Sequence, residues 1–395
     1  MTASRRQLLP FAALSATYFA HIGFFNPYLP LWLKDLGYSL LAISLLTVVQ
    51  SATRLVAPYG WGWLSDHSGE RIKLLRYGAT AALVISVGLW HDGGLAWLAL
   101  VLGLMFLHTS AMMPMSEAAM AHLVSAGGAF DARRYGRVRL FGSLGFLVTV
   151  FAAGVWFQQF GMRHFPAWTV LSLLLVVASV WALPDVKEVT AVHERRQPMG
   201  PILRQREVQW FFTSVFFHVL AHMGVYVFFS LYLDALGYSK TVIGLLWAVS
   251  VLVEIGWFFT QSHWLPMLSL SAWLVLCGAL TALRMGLTAA GASLWLVLLL
   301  AQLLHALTFA AHHATCIALL SHYFPGRLRG RGQALYTILG YGLPGVLGGL
   351  GGGLLSARFG LASVFWAALV CGALAAACAW QVWCARQGAH HRPTA

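Results

Sequence analysis

Long apolar stretches recur along this chain, separated by short polar segments. Runs of about 20 residues fall at 8–30, 40–64, 74–90, 95–123, 138–160, 164–183, 208–233, 240–262, 270–290, 294–321, 333–356 and 361–384. Each is long enough to cross a ~30 Å hydrocarbon core as a helix. Helices suit that solvent because they satisfy every backbone polar group internally. The pattern predicts twelve membrane-spanning helices and no sheet. The first run follows Arg5 and Arg6 as in a signal peptide, but it is long and shows no small-residue cleavage site, so it reads as a retained helix.

Composition agrees. Of 395 residues, 59% are hydrophobic and 9% charged, against about 25% charged in a soluble domain. The formal charge of +13 raises the question of nucleic acid. Its placement answers it. With the N-terminus in the cytoplasm, Lys34, Arg163, Lys240 and Arg358 fall outside, Arg54 and Arg284 fall within spans, and the rest of the 25 Lys and Arg fall on the cytoplasmic side. That is the positive-inside pattern, which predicts an inner-membrane protein with both termini cytoplasmic. No nucleic-acid partner is expected.

Five cysteines lie in or near late spans with no metal spacing and read as packing residues. His312, His313 and Cys316 share one helix, which cannot supply a full coordination shell. Neither metal nor cofactor is expected, and no catalytic constellation of an enzyme is visible.

The chain repeats itself. Leu36-Gly37-Tyr38-Ser39 recurs as Leu236-Gly237-Tyr238-Ser239, and "HIGF" at His21 as "HMGV" at His222. Two six-helix halves in the same orientation follow, related as a parallel repeat. The expected division is an N-terminal half at 1–184, a cytoplasmic linker at 185–207 and a C-terminal half at 208–395. The repeat also aligns Arg54 with Glu254, opposite charges at equivalent positions.

Four strong charges lie inside spans: Arg54, Glu117, Glu254 and Arg284. Each costs about 3 kcal/mol at a helix centre, so they face water or pair. Glu254 and Arg284 sit at matched depth on consecutive antiparallel helices and are expected as neighbours. A structural brace is the plainer reading of the pair. A lone salt bridge is expensive glue, which favours a proton or substrate site. His305 lies near the same depth, with a pKa range suited to a proton relay or, more simply, to packing.

These residues together resemble a known family. "GFFNPYLPLWLKDLG" in helix 1 and "GWLSDHSGERIK" after helix 2, with Gly62, Asp66, Gly69 and Arg71, resemble the major facilitator superfamily. "MPMSEA", "YGRVRLFGSLGF", "LLHALTF" and the charges of helices 8 and 9 resemble its lactose-permease branch. The resemblance implies an all-α fold of twelve helices in two six-helix halves. It implies that Glu117, Arg139, Ser143 and Phe146 contact solute, and that Glu254, Arg284 and His305 serve solute binding and proton coupling. Gly62, Asp66, Gly69 and Arg71 would form a cytoplasmic gate. Thr308 stands where the permease carries its proton on a glutamate, which leaves Glu254 as the first candidate for proton carrier and Glu117 as the second. Phe146 replaces the sugar-stacking tryptophan. With Arg54 in helix 2, the pattern looks more like the phenylpropionate-permease branch, and a positive cavity of Arg54, Arg139, Arg284 and His305 suits a small carboxylate. Gly345, Gly349 and Gly353 form a small-residue ridge on helix 11.

The expected function is therefore proton-coupled import of a small organic solute, such as an aromatic carboxylate, by a monomer that needs only solute, protons and bilayer. A sugar, oligosaccharide or nucleoside symporter is the alternative within the class. A transport-inactive sensor is the alternative outside it.

Overall fold

The structure, a computed structural model, describes residues 5–124, 132–185, 198–325 and 328–390. Twelve helices in it are long and apolar enough to span a membrane: α1 (Leu8–Asp35), α2 (Leu40–Ser65), α3 (Arg71–Trp90), α4 (Gly94–Glu117), α5 (Val138–Phe160), α6 (Met162–Trp181), α7 (Arg206–Ala235), α8 (Lys240–Met267), α9 (Leu270–Gly291), α10 (Trp295–Tyr323), α11 (Arg331–Phe359) and α12 (Ala362–Gln387). No strand occurs among the described residues. Most of the expected linker, residues 186–197, lies outside them.

The chain divides into two units. One comprises Met1–His193 with Tyr238–Ala248, the other Glu194–Gly237 with Val249–Ala395. Each buries its own core. In the first, α1 packs on α5 and α6, and α3 on α4 and α6, around Leu14, Leu75, Val176 and Val180. In the second, α7 packs on α11 and α12, and α9 on α12, around Val208, Phe211, Leu319 and Val382. The pairings α1–α5, α1–α6 and α3–α6 thus recur as α7–α11, α7–α12 and α9–α12.

The sequence repeat becomes a repeated turn. Gly37 and Gly237 both take positive φ, 88° and 86°, a region other residues enter at a steric cost. The serine two residues on then caps the next helix: the Ser39 hydroxyl accepts from Ala42 N–H at 3.3 Å, and Ser239 from Val242 N–H at 3.2 Å.

Two close crossings shape the first unit. A Cβ added at Gly23 of α1 would lie 2.8 Å from the Phe146 backbone of α5. A Cβ at Gly244 of α8 would lie 2.5 Å from the Tyr28 hydroxyl and 2.8 Å from the Val150 carbonyl. Tyr28 donates to Val150 O at 3.0 Å and Lys240 O at 3.3 Å, and Lys240 N–H donates to Gln158 Oε1 at 2.8 Å. The first turns of α8 are fastened to α1 and α5 by these bonds. In the second unit the ridge of α11 extends to Gly348, where a Cβ would meet Met223 of α7 at 2.6 Å.

Not every span is regular. α4 breaks at Ser110–Ala111. Pro114 is the cause, because it has no N–H for the Ser110 carbonyl and its ring crowds that carbonyl. π-helical turns interrupt α7 at Gly224–Phe228, α10 at Ala306–Ala311 and α11 at Ile338–Gly342. All three lie in the second unit.

Candidate functional site

Arg284 of α9 is the centre of the polar cluster in the second unit. It is 1% exposed. A guanidinium there must find acceptors, since an unpaired buried cation is very costly. Its Nη1 donates to His305 Nδ1 at 2.9 Å and to Thr308 Oγ1 at 3.1 Å, and its Nη2 to Gln302 Oε1 at 3.2 Å. Gln302 Oε1 also accepts from the Ser250 hydroxyl at 3.0 Å. Three of these partners come from α10. The π-helical stretch that begins at Ala306 follows directly on His305 and includes Thr308; such interruptions recur at functional sites.

The contact expected between Glu254 and Arg284 takes another form, because the imidazole of His305 stands between them. Glu254 Oε2 lies 3.6 Å from His305 Nε2, within electrostatic range and beyond hydrogen-bond length. The geometry selects a tautomer. A nitrogen that accepts from Arg284 carries no proton, so the imidazole proton sits on Nε2 and points toward the carboxylate. A second proton on Nδ1 would face the guanidinium and break that bond. In this arrangement a neutral imidazole contacts Arg284 on one side and faces the Glu254 carboxylate on the other. Its ring is further held by stacking on Phe309, with centroids 5.0 Å apart and planes at 7°.

A histidine column adjoins this cluster. His218 of α7 bonds the Thr308 carbonyl through Nε2 at 2.7 Å. Its ring stacks on His312 of α10 at 3.4 Å and 5°. His218 Nδ1 and His222 Nε2 are buried without a partner. Among the described residues no group of three or more His, Cys, Asp or Glu is placed to hold a metal ion.

In the first unit Arg139 of α5 donates to the Glu117 carboxylate of α4, and its guanidinium lies 5.7 Å from the Phe19 ring centre. Ser143 and Phe146, one and two turns further along α5, are half-buried. Arg54 of α2 lies elsewhere in the unit. It borders a cavity of about 40 Å³ together with Tyr18, His21, Asn26, Gln50 and Ser110. Tyr18 donates to the Thr109 carbonyl at 3.2 Å, and Gln50 Nε2 to Asn26 Oδ1 at 3.1 Å.

Of the expected gate residues, Gly69 ends α2 at φ 66°, its N–H bonded to the Ser65 carbonyl. Arg71 Nε donates to Ser65 Oγ at 2.9 Å, and a Cβ at Gly62 would meet nothing within 4 Å. The side chain of Asp66 lies outside the described residues.

Sequence reasoning passed over Gln302, Ser250 and Gln50. All three carry a signal: Gln302 precedes His305 by three residues and Gln50 precedes Arg54 by four, which puts each on the face of the charged or titrating group. Ser250 precedes Glu254 by the same four.

The MFS_1-like family model matches residues 12–367 of this chain. The chain belongs to that family. Among curated relatives of this MFS_1-like chain is the "Probable 3-phenylpropionic acid transporter" of Escherichia coli (strain K12), 28% identical over 75% of this chain and 78% of that protein. The maltose permease of Geobacillus stearothermophilus is 24% identical over 77% of this chain and 76% of its own length. Solved structures with the same fold include a variant of the nucleoside transporter NupG, with a TM-score of 0.82 and 14% identity over 96% of this chain and 99% of that one. A D-xylose-proton symporter has a TM-score of 0.72 and 14% identity over 95% and 98% of the two chains. The protein is a multi-pass membrane transporter of the major facilitator superfamily.

Proposed function

We propose that this transporter imports a small organic acid together with protons, and that Glu254 is the group that carries the proton. The arrangement Glu254–His305–Arg284 is the observation that supports it. When Glu254 is ionised, its charge balances Arg284 through a neutral imidazole. When it is protonated, Arg284 keeps only neutral acceptors, namely His305, Thr308 and Gln302. The two states differ by one charge in a place where charge is expensive, so protonation shifts the conformational equilibrium of the transporter. Solute then moves by alternating access.

Glu117, Arg139, Ser143 and Phe146 form a solute-facing wall in this reading, and Gly62, Asp66, Gly69 and Arg71 the cytoplasmic gate. The protein works as a monomer in the inner membrane with both termini cytoplasmic. The relative named for 3-phenylpropionic acid and the positive balance of the intramembrane charges favour an aromatic carboxylate. The maltose permease supports a sugar as the second reading, since Glu117 and Arg139 pair as a hydroxyl-binding site would.

The test separates the carrier from the relay. Glu254→Gln in proteoliposomes is expected to abolish proton-driven accumulation of solute and to keep exchange, because exchange needs no deprotonation. His305→Gln retains an acceptor and a donor without a titrating group and is expected to keep accumulation. Accumulation at the wild-type level by the Glu254 variant would remove it as the carrier.

A further inference from the structure

The arginines at these two sites and at the wall meet three different fates. Arg284 is buried among neutral acceptors and Arg139 is paired with Glu117. Arg54 alone among the three has no hydrogen bond or ion pair to any described residue, and it is half-buried beside a cavity. A guanidinium on a membrane span costs about 3 kcal/mol at a helix centre, and among the described residues no carboxylate pairs with it.

The surroundings of Arg54 are built for a small anionic group. Ser110 borders the same cavity, and its hydroxyl is buried with no partner. Ser110 lies at the break beside Pro114, its backbone still helical and its N–H bonded to the Phe106 carbonyl. Asn26 is oriented by Gln50: its Oδ1 accepts the Gln50 amide, which leaves the Asn26 NH₂ as a donor. Phe25 and Phe106 close the apolar side and keep out water that would compete with a charged hydrogen bond. The space of about 40 Å³ equals roughly three water-sized positions at ~10–15 Å³ each. That is the number of heavy atoms in a carboxylate.

We infer that this cavity of the first unit anchors the carboxylate head of the transported acid, with Arg54 as its counter-charge and Ser110 and Asn26 as neutral donors. This rests on the proposed import of an organic acid and goes further by giving the charged end of that acid its place. The hydrophobic remainder lies outside the cavity, which is too small to hold it. Arg54 then sets specificity for charge, whereas the residues touching the remainder set specificity for shape.

The experiment uses the full chain in detergent, with 3-phenylpropionate and its uncharged amide as probes and calorimetric titration as the readout. Wild type is expected to prefer the acid by about tenfold or more, the discrimination of one charged hydrogen bond. Arg54→Gln is expected to lose that preference with a melting temperature at or above that of the wild type, Arg54→Lys to keep part of it, and Ser110→Ala to weaken acid binding several-fold. An acid preference that survives in Arg54→Gln overturns the anchor and leaves the substrate class standing. A wild type that binds neither probe overturns both. Arg54-dependent acid binding without proton-driven uptake supports the anchor and overturns symport. Equal displacement of the acid by chloride or inorganic phosphate, with no preference over the amide, makes the cavity a general anion site and overturns the carboxylate assignment.

Discussion

Arg54 and Arg284 carry the same charge into the membrane and meet opposite surroundings. The guanidinium of Arg284 is sealed among protein acceptors, one of which, His305, also lies 3.6 Å from the Glu254 carboxylate. Arg54 faces a cavity and has no such partner among the described residues. The difference teaches how one fold can give two jobs to one residue type. A cation whose acceptors are internal is held by the protein and, in the proposed mechanism, responds to an internal proton. A cation without such acceptors costs stability and, in the proposed mechanism, takes its partner from outside. The sequence repeat sharpens the contrast, because the position equivalent to Arg54 in the second half holds Glu254, the acid that completes the sealed cluster.

The largest effect that would break this comparison concerns stability. Arg284→Met strands the Gln302, Thr308 and His305 acceptors and leaves Glu254 without its counter-charge. It is expected to cost about 3 kcal/mol or more, roughly 6–12 °C of melting temperature by the scaling for domains of this size. Arg54→Gln is expected to melt at or above the wild-type temperature. Equal destabilisation by the two substitutions would show that Arg54 has an internal role after all.

A smaller loss is expected from Gly244→Val. Its Cβ meets the Tyr28 hydroxyl and the Val150 carbonyl, and overpacking of this kind costs about 1–3 kcal/mol. Gly256, further along the same helix, has nothing within 4 Å of an added Cβ, so Gly256→Ala serves as the control. Thermal unfolding in detergent reports both, and equal melting temperatures would refute the close crossing. Smallest are the two caps. Ser39→Ala and Ser239→Ala are expected to lose about 1 kcal/mol each, and similar losses at the two sites would confirm that the repeated turns are energetically alike. A large difference would confine the repeat to sequence.

Much of the fold was legible because its signals are local and strong. Twelve apolar runs gave twelve spans, since length and hydrophobicity alone decide whether a helix crosses lipid. The Leu-Gly-Tyr-Ser repeat foretold a shared turn because glycine and serine each do something specific there. The break in α4 was also written in the sequence, at Pro114, although the apolar run was read as continuous. The relay was harder to see. Matched depth put Glu254 and Arg284 near one another, but depth does not say which side chain stands between them. That depends on His305 and Thr308 both reaching Arg284 from α10, beside its π-helical stretch. The cavity at Arg54 was least legible, since it is defined by what fails to fill a space between α1, α2 and α4, and periodicity along one helix carries no record of that.

The fastening of α8 to α1 and α5 has a consequence for how the protein is made. The first unit includes Tyr238–Ala248, yet those residues follow its other helices in the chain by the length of a linker and all of α7. The ribosome delivers ~5–20 residues per second, so the first six helices wait several seconds in the membrane with Gly154 uncovered and the Tyr28 hydroxyl short of its Lys240 acceptor. Only when α8 is inserted does the older half of the nascent chain acquire its final packing. A transporter built this way matures out of register with its synthesis, and the interval before α8 arrives is when the translocation and quality-control machinery meets an unfinished surface.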